Sequence, residues 1–226
     1  MSRRPRLLSL FLCCAAALYG APSQPAAGSV QDSAAVTFTL DFPQSSPEHY
    51  SIRVPSTGTA HYESSGRLSA DSDVTDTFDY DFAISNELRS RIFALAAKAG
   101  YFQKYLEAHH KNLAFMGKKT LQYTDANHSS EGTFNYSANA AVQELTSVFQ
   151  SLSATLEFGH RLNYYRRYQK LALEDELKRM QEMARNNTLI EVTAIQPILE
   201  QIVADQSVIK VTRARAQTLM SDGNAR

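Results

Sequence analysis

From Ser137 to Arg185 the chain runs without a proline and with one glycine, Gly159, while apolar residues recur at helical spacing. No other stretch offers so long an ordered element, so the rest of the fold has to be arranged around it. Ser137 can cap its start, with the hydroxyl accepting from an orphan amide of the first turn. Val142, Leu145, Val148, Phe149, Leu152 and Leu156 make one apolar stripe; beyond Gly159, Leu162, Tyr165, Leu173, Leu177, Met180 and Ala184 make a second. At about 100° per residue the second stripe sits a quarter-turn or more around the cylinder from the first. Heptad drift of about 20° does not produce that offset. Either the helix breaks near Phe158–Gly159, or one helix, kinked there, meets two partners on two faces. A lone glycine costs only about 1 kcal/mol against alanine, so the kinked single helix is the expectation.

The outer side of the second half carries Lys170/Glu174, Glu174/Lys178, Asp175/Arg179 and Lys178/Glu182, each pair four apart, as on a solvated helix. The run Tyr164-Tyr165-Arg166-Arg167-Tyr168 mixes aromatic and basic residues, a pattern shared by nucleic-acid surfaces and by interdomain seams where tyrosines snorkel.

Charge and address decide between those two. Arg3, Arg4 and Arg6 precede the apolar run Leu7–Tyr19, followed by small residues and prolines. That is the layout of a secretory signal peptide, cleaved between about Ala17 and Gly28. Its loss takes three arginines and no acids from a chain of zero net charge, leaving −3. A nucleic-acid partner is therefore not expected. Cys13 and Cys14 leave with the leader, which removes disulfides, thiol nucleophiles and cysteine metal sites from the processed chain. No later segment approaches the roughly 18 apolar residues of a membrane span.

Before the long stretch the pattern changes to period two. Val36, Phe38, Leu40 and Phe42 alternate with polar residues; so do Tyr50, Ile52 and Val54, then Ala60 and Tyr62 after a turn at Gly58, then Phe78, Tyr80, Phe82 and Ile84. Ser85 caps a helix with Leu88, Ile92, Leu95, Ala96 and Ala99 on one side and Gly100 at its end. A weaker hairpin follows, Thr120–Thr124 and Thr133–Tyr136 joined by Asp125–Gly132. Antiparallel strands with helices on one face make an α+β layer domain. The expected organisation is a processing region at 1–28, an antiparallel α+β domain at 29–136, and the long helix with a C-terminal helical subdomain at 137–226.

Three segments of the strand block, Pro47-Glu-His-Tyr50, Gly58-Thr-Ala-His-Tyr62 and Gly100-Tyr-Phe102, give Val36–Phe102 a resemblance to a group of secreted bacterial domains of unknown function. Those domains carry paired cysteines beside a Pro-x-Tyr. Here Ser45 and Ser46 flank the proline and one extra residue precedes the tyrosine, so properties tied to the cysteines do not transfer. Over its full length, including Phe158–Ala184 and Val208–Leu219, the chain resembles a family of exported bacterial proteins. The resemblance implies an architecture and an address, periplasmic or extracellular, and no activity.

After the long stretch, Thr188-Leu-Ile-Glu191 reads as a capping box. Pro197 opens a helical turn with Ile198, Leu199, Ile202 and Val203, and Asp205-Gln206-Ser207 breaks the chain before Val208–Met220. These apolar residues are the ones free to cover the second stripe.

Recognisable chemistry is sparse. His49, His61, His109, His110, His128 and His160 lack the i, i+4 spacing of a helical zinc pair and read as surface residues. Asp71, Asp73 and Asp76 lack the glycine and closing glutamate of a calcium loop. Asp79 and Asp81 share the wet face of a strand. There is no Gly-x-Ser-x-Gly, phosphate loop or dinucleotide fingerprint. Sequons stand at Asn127, Asn135 and Asn186. No catalytic, cofactor-binding or metal-binding residue is assigned, and no cofactor is expected. The expected role is a non-catalytic binding or assembly module of the bacterial cell envelope with an envelope protein as partner, docking at Tyr164, Arg167 and Tyr168. The alternatives are a carrier or sensor of a small apolar ligand held between sheet and long helix, and a hydrolase with a site assembled from scattered residues.

Overall fold

A computed structural model describes residues 34–43, 45–67, 75–108 and 113–224. The expected leader at 1–28, Asp71, Asp73, His109 and His110 lie outside the described residues. Among these residues six strands, β1 (Ala35–Asp41), β2 (His49–Pro55), β3 (Ala60–Arg67), β4 (Thr75–Phe82), β5 (Lys118–Thr124) and β6 (Ser129–Phe134), form one antiparallel sheet in the order β4-β3-β2-β1-β5-β6. Five helices accompany them: α1 (Asn86–Lys98), α2 (Ala140–Tyr168), α3 (Ala172–Arg185), α4 (Gln196–Ala204) and α5 (Lys210–Asn224). The fold is α+β with a C-terminal helical part, as the alternation and the apolar stripes predict.

Strand β1 lies inside the sheet because the β5–β6 hairpin pairs with the edge that β2 leaves free. Phe38 stands opposite Ile52 on one side and Leu121 on the other. Strand side chains alternate between faces, so Val36, Phe38, Leu40, Tyr50, Ile52, Tyr62 and Leu121 all turn inward, and all are buried. Helices α1 and α2 cover that face. The rings of Phe38 and Phe149 stack at 5.2 Å and 5°.

β6 begins earlier than expected, and its turn is Asp125–His128. Asp125 Oδ1 there accepts from the amides of Asn127 and His128, both at 2.8 Å. Ser129-Ser-Glu-Gly132 has little strand propensity of its own and is held by pairing. Gly132 is required: a Cβ there would meet Leu106 Cγ at 2.7 Å.

The long stretch is two helices, and neither its start nor its break is where the sequence suggests. Asn139, not Ser137, caps α2, its Oδ1 accepting from Ala141 N at 2.9 Å. Gly159 sits inside an unbroken α2. The break comes at Gln169–Leu171: Leu162 and Tyr165 lie on a second side of α2 itself, and Leu173, Leu177, Met180 and Ala184 belong to α3. Gly159 serves packing instead, since a Cβ there would come within 2.7 Å of Ile195 Cγ2. The break also corrects the helix-surface pairs. Lys170 falls outside α3 and pairs with Asp205 at 3.1 Å, while Glu174 takes Arg215 at 2.8 Å.

Leu162, Leu173, Leu177 and Met180 are buried in one core with Leu199, Ile202, Val208, Ala216 and Leu219, so α4 and α5 fold back over the second stripe. Pro197 stands in the first turn of α4. Thr188–Glu191 is not a capping box, because no helix starts there and Glu191 has φ 53°. Its carboxylate crosses the molecule to the start of α1, accepting from Ser85 N at 3.0 Å and Ser85 Oγ at 2.8 Å. Ser85 Oγ in turn accepts from Leu88 N. The reciprocal logic of a capping box is kept, with its glutamate supplied from across the fold.

Candidate functional site

The corner where α2 gives way to α3 lies beside the turn between α4 and α5. Lys170 joins the two turns, bonding both Asp205 and the Ser207 hydroxyl, and Arg166 Nη2 donates to Gln201 Oε1 at 2.8 Å. Tyr164, Arg167 and Tyr168 come together on the outside of this corner, with the rings of Tyr164 and Tyr168 5.1 Å apart. Tyr168 is 70% exposed, Leu171 86% and Ile209 54%. Leu171 is turned out of a helical stripe by the break at Gln169–Leu171, and Ile209 lies outside any helix, in the turn just before α5. The corner's chemistry is adhesive: aromatic and aliphatic surface beside cations.

A second constellation joins α2 to β3. Glu157 lies one turn beyond Ser153 and two beyond Phe149, so it faces the sheet with a side chain only 12% exposed. Its Oε1 accepts from Tyr62 Oη and Ser64 Oγ, both at 2.7 Å. Having given its proton to Glu157, Tyr62 Oη receives from Ser153 Oγ at 3.1 Å. His160 completes the group, its ring stacked on Phe78 at 4.3 Å. The imidazole is 3.8 Å from Glu157 Oε2 and 3.6 Å from Asp76 Oδ2. His160 is therefore not the surface residue expected from its spacing; its side chain is 19% exposed.

Burial pushes the Glu157 pKa up, but His160 and the Ser64 and Tyr62 hydroxyls more than offset it, holding the carboxyl below its usual range. Burial raises the Tyr62 phenol, with Glu157 adding to the effect, and burial also raises Tyr50. The chemistry is that of a fastener. Ser64 is buried and its proton is committed to the carboxylate, so the group fixes the register of α2 on the sheet.

A cleft of about 200 Å³ opens between the β5–β6 hairpin and the start of α2, lined by Leu113, Met116, Phe134, Tyr136, Thr146 and Gln150 among others. Lys119 lies at its base. Its ammonium donates to the carbonyls of Met116 at 3.0 Å, Asn135 at 2.9 Å and Gly117 at 3.4 Å, which uses all three protons. Burial lowers its pKa against the raising effect of Glu107.

The outer face of the sheet is polar. His61 Nδ1 is 2.8 Å from Asp81 and Nε2 3.7 Å from Asp79, so the paired aspartates bracket a histidine. His49 pairs with Asp41 at 2.6 Å. Among the described residues, no group of three or more His, Cys, Asp or Glu side chains is placed to hold a metal ion. None of their helices is long and apolar enough to cross a membrane. A scan against protein-family models and a search of curated proteins each find no match.

Proposed function

We propose that this chain is an exported, non-catalytic binding or assembly module of the bacterial cell envelope, working through the corner formed by Tyr164, Arg167, Tyr168, Leu171 and Ile209. The observation that carries the reading is the placing of the exposed side chains of Tyr168 and Leu171 beside the exposed cation of Arg167. Exposed apolar side chains grouped beside a cation mark interaction sites. The export half of the reading rests on the arginine-led apolar run at the N-terminus, and N-terminal sequencing of the processed chain should find a first residue between about Leu18 and Ser29.

A photo-crosslinking residue at position 171 tests the corner, with one at Thr120 on the outer sheet face as control. Crosslinking in intact cells should label an envelope component from 171 and not from 120. Equal labelling from both positions, or none from 171, would remove the reading.

The cleft beside Lys119 favours a second reading, a carrier of a small apolar ligand between sheet and long helix. Its volume suits roughly one aromatic ring with a short substituent. A solvent-sensitive dye displaced from the wild type, but not binding Phe134→Asp, would support it; unchanged binding in that variant would sink it.

A further inference from the structure

We infer that the occupant of this corner is the surface of an anionic phospholipid bilayer, against which the α2–α3 and α4–α5 turns lie flat. The inference rests on the corner being the working surface and goes on to name what it meets. Residues 164–171 and 205–213 hold five cations, Arg166, Arg167, Lys170, Lys210 and Arg213, and one acid, Asp205. Lys170 takes that acid. Arg166 and Arg213 bond only the neutral side chains of Gln201 and Gln206, and each keeps a buried Nε with no hydrogen-bond partner. Among the described residues Arg167 and Lys210 have no carboxylate within ion-pairing distance. The corner is thus locally basic on a chain whose processed form is net acidic.

Its apolar residues have the composition of an interfacial belt. Tyrosines with one wet end stand at the end of α2, aliphatic side chains sit at the two turns, and long cationic stems surround them. A planar anionic surface neutralises the spare cations together, and its headgroup region accepts shallow apolar side chains.

Vesicle sedimentation tests this with residues 29–226, which contain the whole described core. Phosphatidylcholine vesicles doped with phosphatidylglycerol should bind the protein at least about tenfold better than phosphatidylcholine alone, and added salt should weaken the binding. Arg167→Glu and Lys210→Glu should each reduce it by about fivefold or more, and Leu171→Asp by about tenfold, with unchanged melting temperatures. Thr120→Asp, on the opposite face, should bind as wild type. Absence of binding to the anionic vesicles, equal binding to neutral ones, or wild-type binding by Leu171→Asp would overturn the inference. If vesicles fail while crosslinking from position 171 captures a protein, the lipid inference falls and the corner stands. If both fail, both fall.

Discussion

The Tyr62 hydroxyl donates to Glu157 Oε1 at 2.7 Å across 95 positions of sequence. Ser64 shares the same oxygen. Glu157→Ala would strand two buried hydroxyls at once and should cost about 2–4 kcal/mol in a denaturant titration. Glu157→Gln, which keeps an acceptor, should recover part of that. The carboxyl's folded pKa lies below its ordinary 4.5. The stabilisation is therefore complete above that value and is lost as pH falls through the lower folded one. Wild-type stability should drop on acidification below about pH 4.5, and Glu157→Gln should flatten that part of the profile. An identical acid profile in the variant would refute the assignment.

Phe149 stacks on Phe38 at the centre of the sheet–helix layer and is fully buried. Phe149→Ala should cost about 3–5 kcal/mol. A loss under about 0.5 kcal/mol would be the size expected of a surface site, not of a core ring.

Gly159→Ala sets two effects against each other. Helix propensity gains about 1 kcal/mol, whereas forcing a methyl against Ile195 costs about 1–3 kcal/mol. Backbone cannot yield inside α2, so the variant should be destabilised. Gly159→Ala with Ile195→Ala should then be less destabilised than the sum of the single changes. Strict additivity would show that the two do not meet.

Ending the chain at Asn187 removes α4 and α5 from Leu162, Leu173, Leu177 and Met180. The truncated protein should aggregate or lose cooperative unfolding, measured by light scattering and thermal melts. A monomer of undiminished stability would mean that the helices never covered that stripe, and a stable dimer would make it a subunit seam.

Sequence periodicity was enough to place the strands from Val36 to Phe82 and the inward side of α1, because half-buried elements announce which face is wet. It also paired the second stripe with the C-terminal helices. The break at Gln169–Leu171 was not legible: glutamine, lysine and leucine are good helix formers, and the turn is held by Asp205 and Ser207 from a distant segment. Glu191 misled for a similar reason, its local spacing matching a capping box while its partner Ser85 lies 106 positions away. Glu157 did leave a trace, a carboxylate in line with Phe149 and Ser153 on the buried side of α2. Tyr164, Arg167 and Tyr168 stood out by composition, but Leu171 joins them only through the break and Ile209 only through the α4–α5 turn that Lys170 holds.

The segment between α3 and α4 acts as a clasp. Thr155 Oγ1 donates to Ile190 O at 2.7 Å, Tyr80 Oη donates to Ala194 O at 3.1 Å, and Glu191 holds the head of α1. Three separate elements are thus joined by the short run Ile190–Ala194. Each of the three elements has other partners as well, Phe78 of β4 on His160 and Glu157 of α2 on Tyr62 among them, and the run adds a shared one. A single five-residue run therefore ties β4, α1 and α2 to the same place, so a change that loosens it is felt at three points of the fold at once.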